Sequence, residues 1–166
     1  MKILVFSDTH KNLEFMTEAI NKHKNDTDLI IHLGDCSSDT SVISSICPHI
    51  ACVKIRGNCD FGLFESRVQD EAIFKLGNTN ISVFACHGHR YSVKDGTDYI
   101  FAKAKISGVK IALYGHTHIS DITYNNGIYI INPGSASFPR GGEPASYCVI
   151  NICDGEILPS IIYKTD

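Results

Sequence analysis

Gly115-His116-Thr117-His118 sets two imidazoles one residue apart behind a glycine, at the end of an apolar run. Packing seldom needs such a pair, whereas a metal ion does, and the glycine lets the backbone turn tightly enough to present both rings. Four more short motifs carry donors of compatible kinds: Asp8-Thr9-His10, Gly34-Asp35, Gly57-Asn58-Cys59-Asp60 and His87-Gly88-His89. Gathered together, they could hold two divalent ions roughly 3.5–4 Å apart, a pair that activates water for hydrolysis of a phosphate ester. Two such cations repel, and a shared carboxylate is a usual way of holding them; Asp35 is the candidate bridge.

Taken singly, the motifs say less. Asp8 and His10 leave the chain on one side if their loop is extended, and can then clasp one ion, yet an isolated Asp-Thr-His is commonly a turn or a helix cap. Gly34-Asp35 is similar, a turn glycine followed by a carboxylate that could cap a helix or bridge metals. His116 and His118 repeat the two-apart geometry. Only one of His87 and His89 needs to bind metal, which leaves His89 for a substrate contact or for a hydrogen bond that orients a ligand. His23, His32 and His49 lie in no motif. His23 is expected to face solvent and His32 to sit in the core or a sheet, and neither is assigned chemistry.

The ends of strands must deliver these donors. Residues 2–6 are apolar and β-branched enough for a buried strand that stops at Ser7-Asp8. Asn12 suits the N-cap of a helix through about residue 24, in which Leu13, Met16, Ala19 and Ile20 repeat at helical spacing. Residues 29–33 predict a second strand ending at Gly34-Asp35. A short helix over residues 40–46 closes at Cys47-Pro48, and residues 52–55 predict a third strand ending at Gly57-Asn58. This alternation implies parallel pairing through helical crossovers.

Residues 72–76 and 81–85 read as a hairpin around Gly77-Asn78, the second strand ending at His87. A helix from Asp95 to Ser107 stops at Gly108, and residues 110–114 lead to Gly115-His116. Short strands over 121–124, 128–131, 147–152 and 156–163 predict a mostly antiparallel second sheet. The expected fold class is α/β, one domain of two sheets covered by helices, with active residues on loops at strand ends.

At 166 residues and 43% hydrophobic, the chain can build one core without staples. Its net charge of -3, from 15 basic and 18 acidic residues, gives no broad cationic face, which makes nucleic acid an unlikely partner and leaves small anionic molecules. Seven cysteines, an odd number without a Cys-x-x-Cys pair, read as reduced thiols. No apolar run approaches roughly 18 residues and no signal h-region is present, so no membrane contact and a cytoplasmic location are expected. A homo-oligomer is left open.

The ordered set Asp-x-His, Gly-Asp, Gly-Asn-x-Asp, His-Gly-His and Gly-His-x-His resembles the calcineurin-like metallophosphoesterase superfamily, and within it the small bacterial and archaeal YfcE-type phosphodiesterases. The likeness runs from Met1 to Asn132-Pro133-Gly134-Ser135 and Pro139-Arg140-Gly141-Gly142. It implies a two-sheet metallophosphoesterase sandwich of mixed β-sheets flanked by helices over residues 1–166. Carried over by position, it implies one metal on Asp8, His10, Asp35 and His118, and a second on Asp35, Asn58, His87 and His116. Carboxylate, amide and imidazole donors without thiolate suit Mn, Fe, Ni or Zn, and the resemblance points to manganese.

The implied reaction is attack of a dimetal-bound hydroxide on a small phosphodiester. Asn58, His89, Cys59 and Asp60 are the candidate catalytic residues, and Asn58, His89 and Arg140 the candidate substrate contacts, although Arg140 could equally be a solvated loop cation. Cys59 departs from the wider superfamily, many of whose members carry His there to protonate the leaving alkoxide; the YfcE-type subgroup is similar in having Cys. A thiol of ordinary pKa about 8.5 is a poor substitute for an imidazole near about 6.5. Weak phosphomonoesterase activity and better turnover of aryl phosphodiesters are therefore expected. The alternatives are a non-catalytic protein-binding scaffold, like the retromer subunit of this family, or a nuclease. The seven intact ligands favour catalysis over the first, and the absence of Trp and of a basic track disfavours the second.

Overall fold

Residues 1–62 and 65–165 of the computed structural model are described, and they form two five-stranded sheets around a shared core. In the first sheet β1 (Lys2–Phe6), β2 (Leu29–His32) and β3 (Ala51–Lys54) run parallel, with α1 (Glu14–His23) and α2 (Ser41–Ile46) between them in sequence. The second sheet contains β4 (Glu71–Lys75), β5 (Ser82–Cys86), β6 (Ile111–Leu113), β7 (Ser120–Asn125) and β8 (Ile128–Pro133), with α3 (Asp98–Ile106) preceding β6.

Strand periodicity explains the layers. In β1, Ile3 and Val5 point into the core between the sheets, while Leu4 and Phe6 pack under α1 and α2 with Met16, Ile20, Ile43 and Tyr147. Both faces are covered, so β1 reads as an unbroken apolar run. On the far side Phe84, Ala112, Ile128 and Ile130 meet Ile100 and Ala104 of α3. Each fully buried Ile or Leu contributes about 1.5–3 kcal/mol.

Residues 147–152 and 156–163, expected in a mostly antiparallel second sheet, instead complete the first. β9 (Ser146–Cys153) lies antiparallel to β1, and β10 (Glu156–Tyr163) antiparallel to β9. The physical reason is that Cys148 and Ile150 face the core between the sheets while Tyr147 and Val149 face the helices, so β9 covers the edge that β1 would otherwise leave unpaired. The second sheet is mixed: β5, β6 and β8 are parallel, with β4 and β7 antiparallel at its edges. Pro159 is tolerated because β10 is an edge strand.

Two helices start later than expected. The Asn12 N–H donates to the Thr9 carbonyl (2.9 Å), which keeps Asn12 in the preceding turn; its Oδ1 accepts from the Glu14 N–H at 3.4 Å. Asp95 closes a turn onto Ser92, and Gly96 at φ +144° interrupts the path to α3, which begins at Asp98. His23 is half-buried against the Tyr147 hydroxyl (3.0 Å) rather than solvent-facing. All seven cysteines are free thiols, and among the described residues no helix is long and apolar enough to cross a membrane.

The pairing also levels the strand ends. Phe6 is opposite His32 and His32 opposite Lys54, while Ala85 is opposite Leu113 and Leu113 opposite Ile131. The loops that leave these parallel strands therefore emerge along one edge of the sandwich, where all five motifs lie.

Candidate metal centre

Two groups of donors assemble at that edge. Asp8, His10, Asp35 and His118 each bring a ligand atom within 4.8 Å of the others, and so do Asp35, His87 and His116. Asp35 belongs to both. Its Oδ2 lies 3.8 Å from His10 Nε2, and its Oδ1 lies 3.4 Å from His87 Nε2, so the two carboxylate oxygens face different clusters. Asn58 joins the second group, with Oδ1 3.1 Å from His87 Nε2.

The backbone reaches this arrangement by an unexpected route. Extended loops were to place Asp8 beside His10 and His116 beside His118, but all four residues, and Asp35 with them, have positive φ between 44° and 71°. Left-handed backbone is costly for side chains with a Cβ and persists where the surroundings over-determine it. Here the Asp8 N–H donates to the Gly34 carbonyl (3.0 Å), the His116 N–H to Asp8 Oδ2 (3.0 Å), and the Ser135 hydroxyl to the Asp8 carbonyl (2.7 Å). Two glycines make the close approach feasible. A Cβ on Gly57 would stand 2.3 Å from Asp35 Oδ1, and one on Gly115 2.0 Å from Ser7 Oγ.

The donor set fits divalent ions. His87 Nδ1 donates to the Leu33 carbonyl (2.8 Å) and His118 Nδ1 to the Phe138 carbonyl (2.6 Å), which leaves both Nε2 lone pairs aimed inward. There they meet other acceptors: His118 Nε2 is 3.2 Å from Asp8 Oδ1 and 3.3 Å from His10 Nε2. Asp8 Oδ1 is buried without a hydrogen bond. Lone pairs crowded on lone pairs call for a cation among them.

The charges agree with that demand. Burial alone would depress the imidazoles of His87 and His118, yet the carboxylates of Asp35 and Asp8 outweigh it and raise both above the ordinary histidine value. Burial would correspondingly raise the two carboxyls, but the neighbouring histidines hold them below the usual carboxylate range. His116 is instead pushed down to about 4, by burial first and then by the His87 and Lys94 charges.

The remaining predicted residues lie around this centre. Asp60, expected among the catalytic groups, turns away from it: Oδ2 accepts from the N–H groups of Asp35 (3.1 Å) and Gly57 (2.7 Å), and Oδ1 from that of Ser37 (2.7 Å). With both oxygens committed to backbone, Asp60 ties the Gly34 and Gly57 turns together. Cys59 is exposed; its N–H donates to Asp35 Oδ1 (2.8 Å), and its Sγ lies 3.3 Å from Asn58 Nδ2. His89 belongs to neither donor group. Its ring packs 5.4 Å from that of His87 and 6.1 Å from that of His116, and its buried Nδ1 has no hydrogen-bond partner. Burial, then the His87 charge, lowers its pKa. Arg140 is exposed beside the first group, its N–H donating to the His118 carbonyl (3.0 Å).

One supporting network carries no sequence signature. The Thr9 hydroxyl donates to Asp39 Oδ2 (2.7 Å), which also accepts from the Lys11 N–H (2.9 Å), and lies 3.1 Å from His32 Nε2. The Gly34 N–H donates to His32 Nδ1 (3.2 Å), so the neutral ring carries its proton on Nε2 and gives it to Thr9. Burial holds this imidazole at about 4, consistent with that neutral form. The three residues lock the turn bearing Asp8 and His10 onto the turn bearing Asp35. The Asn132–Ser135 loop braces the other pair of donors: Asn132 Nδ2 donates to the Gly115 carbonyl (3.2 Å) and to Thr117 Oγ1 (2.9 Å).

Known proteins share this arrangement of chain. A probable metallophosphoesterase of Bacillus subtilis, YsnB, is 30% identical over 152 residues, 92% of this chain and 85% of its own length. The Escherichia coli phosphodiesterase YfcE is 29% identical over 117 residues, which cover 69% of this chain and 58% of that one. Among solved structures, a predicted phosphoesterase from Streptococcus pneumoniae superposes with TM-score 0.79 at 24% identity, over 98% of this chain and 88% of the other. Vps29 of Entamoeba histolytica, in a complex with zinc, superposes with TM-score 0.74 at 19% identity, over 98% and 99% respectively. The family model for the calcineurin-like phosphoesterase superfamily domain matches residues 1–155, a span that contains every donor of the two clusters. By that match and by its relatives, this chain belongs to the calcineurin-like phosphoesterase superfamily.

Proposed function

We propose that the protein is a dinuclear metal-dependent phosphodiesterase acting on small phosphodiesters, with manganese as the working ion and Fe, Ni or Zn able to replace it. The observation that carries this reading is Asp35, whose two oxygens face two different donor groups. Asp8, His10, Asp35 and His118 would hold one ion, and Asp35, Asn58, His87 and His116 the other. When bound, the pair supplies the positive charge that lowers the pKa of water and stabilises charge on phosphoryl oxygens.

The protein's own groups do the rest. The Leu33 and Phe138 carbonyls fix the tautomers of His87 and His118. Asn58 serves twice, with Oδ1 turned to the second donor group and Nδ2 available to a phosphoryl oxygen. His89, with an unpartnered Nδ1 beside His87 and His116, suits a contact to the ester.

Manganese-reconstituted protein is expected to bind two equivalents and to hydrolyse bis(p-nitrophenyl) phosphate faster than p-nitrophenyl phosphate or single-stranded DNA. Two bound equivalents with no hydrolysis of this diester or of any cyclic nucleotide would replace the reading with the scaffold one, to which the Vps29 fold is congenial. Faster cleavage of single-stranded DNA or RNA than of small diesters would replace it with a nuclease.

Cys59 underlies the preference for good leaving groups. A thiol does not readily protonate a departing alkoxide, whereas a histidine there could, and general acid catalysis contributes factors of about 10² or more. Cys59→His is expected to raise kcat/KM for an alkyl phosphomonoester by about tenfold or more. Steady-state kinetics on glycerol phosphate would check this, and an unchanged rate would show that proton donation is not what limits monoester turnover.

A further inference from the structure

The cations around the metal centre are distributed unevenly. On the side of His89 they are neutralised: Arg56 and Arg90 each lie 2.6 Å from an Asp70 oxygen, and Lys103 lies 2.8 Å from Glu71. On the other side, Lys94 and Arg140 both line a cavity of about 370 Å³ with Tyr114, Thr117 and Asp121. Neither side chain has a hydrogen bond or a carboxylate partner among the described residues.

That cavity adjoins the centre. Thr117 is the residue between His116 and His118, and Arg140 also lines the open space in front of His10 and His118. The carboxylate of Asp121 shares the cavity, but its Oδ2 accepts from the Thr123 hydroxyl at 2.9 Å, and one carboxylate does not balance two cations. An ammonium and a planar guanidinium lining one cavity beside the candidate metal ligands, with a single carboxylate for two cations, leave a positive charge that matches the chemistry of a second phosphate.

We propose that the Lys94–Arg140 cavity is a subsite for a further phosphate on the substrate, so that the preferred substrates are phosphodiesters bearing a second phosphate group. This rests on the phosphodiesterase reading of the metal centre and narrows it. Diesters with two uncharged arms would be hydrolysed without using this wall of the site.

A matched pair of substrates tests it: thymidine 5′-(p-nitrophenyl phosphate), and the same compound carrying a 3′-phosphate. The leaving group and the attacked phosphorus are identical, so their kcat/KM ratio isolates the extra phosphate. At one fixed ionic strength, the manganese-loaded protein is expected to favour the phosphorylated diester by about tenfold, the scale of two exposed charge pairs. The double variant Lys94→Gln with Arg140→Gln is expected to bring the ratio close to one. Removing two distant cations instead, with Lys75→Gln and Lys110→Gln, is expected to preserve it.

Binding supplies a readout independent of turnover. By calorimetry, thymidine 3′,5′-bisphosphate is expected to bind the manganese-loaded protein about tenfold more tightly than thymidine 5′-monophosphate, and the Lys94/Arg140 variant is expected to lose the difference. A ratio near one in the unaltered protein, a ratio that survives the double variant, or a ratio erased equally by the distant pair would refute the subsite. Should neither diester be hydrolysed, the phosphodiesterase reading fails, while the two binding ratios still decide whether the cavity takes a second phosphate.

Discussion

Replacing Asp35 by Asn is expected to cut kcat/KM for bis(p-nitrophenyl) phosphate by about 10³-fold or more while the protein stays folded. The residue is 2% exposed and, among the described residues, is the only donor common to both clusters. An amide has nearly the same shape, and its oxygen can still accept from the Cys59 N–H, at 2.8 Å from Oδ1 in the native chain. It cannot offer an anionic oxygen to each of two cations. In the metal-free protein the change gives up the pairing of Asp35 with His87 but also removes its repulsion from Asp8, and the two effects largely offset, so little stability is lost. Metal analysis should show loss of at least one manganese equivalent, and thermal melts of the metal-free proteins should agree within a few degrees. Activity within threefold of the parent, with two equivalents still bound, would remove Asp35 from the bridging role and the dinuclear mechanism with it.

The opposite signature is expected of the carboxylate twenty-five residues on. Asp60→Ala strips the acceptors from three N–H groups, those of Asp35, Ser37 and Gly57, in a region where the aspartate is 8% exposed. Each buried N–H left unpaired costs about 1–3 kcal/mol, so the three together cost about 3–9 kcal/mol, which entering water reduces to a net loss of about 3–6 kcal/mol. For a chain of this length that corresponds to a fall in Tm of about 10–20 °C. Activity should fall as well, through misplacement of Asp35 and Asn58. The distinguishing measurement is the melt of the metal-free protein, which Asp60→Ala lowers and Asp35→Asn does not. A melt unchanged by Asp60→Ala would show that those N–H groups find other partners, and Asp60 would return to consideration as a group that acts on substrate.

These two aspartates also mark how far the residues could be read in advance. Both stand beside a glycine motif after an apolar run, and both looked like active-site carboxylates. Side-chain type told what each could bind; it did not tell which groups would lie opposite. Asp35 faces His10 and His87 because β1, β2 and β5 end level at one edge, whereas Asp60 faces backbone because the Gly57 turn folds over the Gly34 turn. The network of His32, Thr9 and Asp39 was illegible for the same reason. It joins residues from three segments, none of which carries a pattern by itself.

The sheets tell a parallel story. The local pattern of apolar residues identified β1 and β2 as buried strands and β4 and β5 as a hairpin, since a short apolar run and the turn that ends it are local properties of the chain. It identified β9 as a strand equally well and assigned it to the wrong sheet, because burial on both faces says that neighbours exist without saying which.

What the sequence determined by itself, then, is the inventory: apolar strands of the right period, and ligand types placed just beyond their ends, both of which depend only on residues a few positions apart. Tertiary structure alone decided the partnerships: which oxygens of Asp35 face which cluster, that Asp60 spends both oxygens on backbone N–H groups, that left-handed turns carry Asp8, His10, His116 and His118, and that Lys94 and Arg140 have no carboxylate partner among the described residues. The physical reason is that hydrogen bonding, burial and charge act between groups brought together in space from opposite ends of the chain, over distances of a few ångströms that no local spacing encodes.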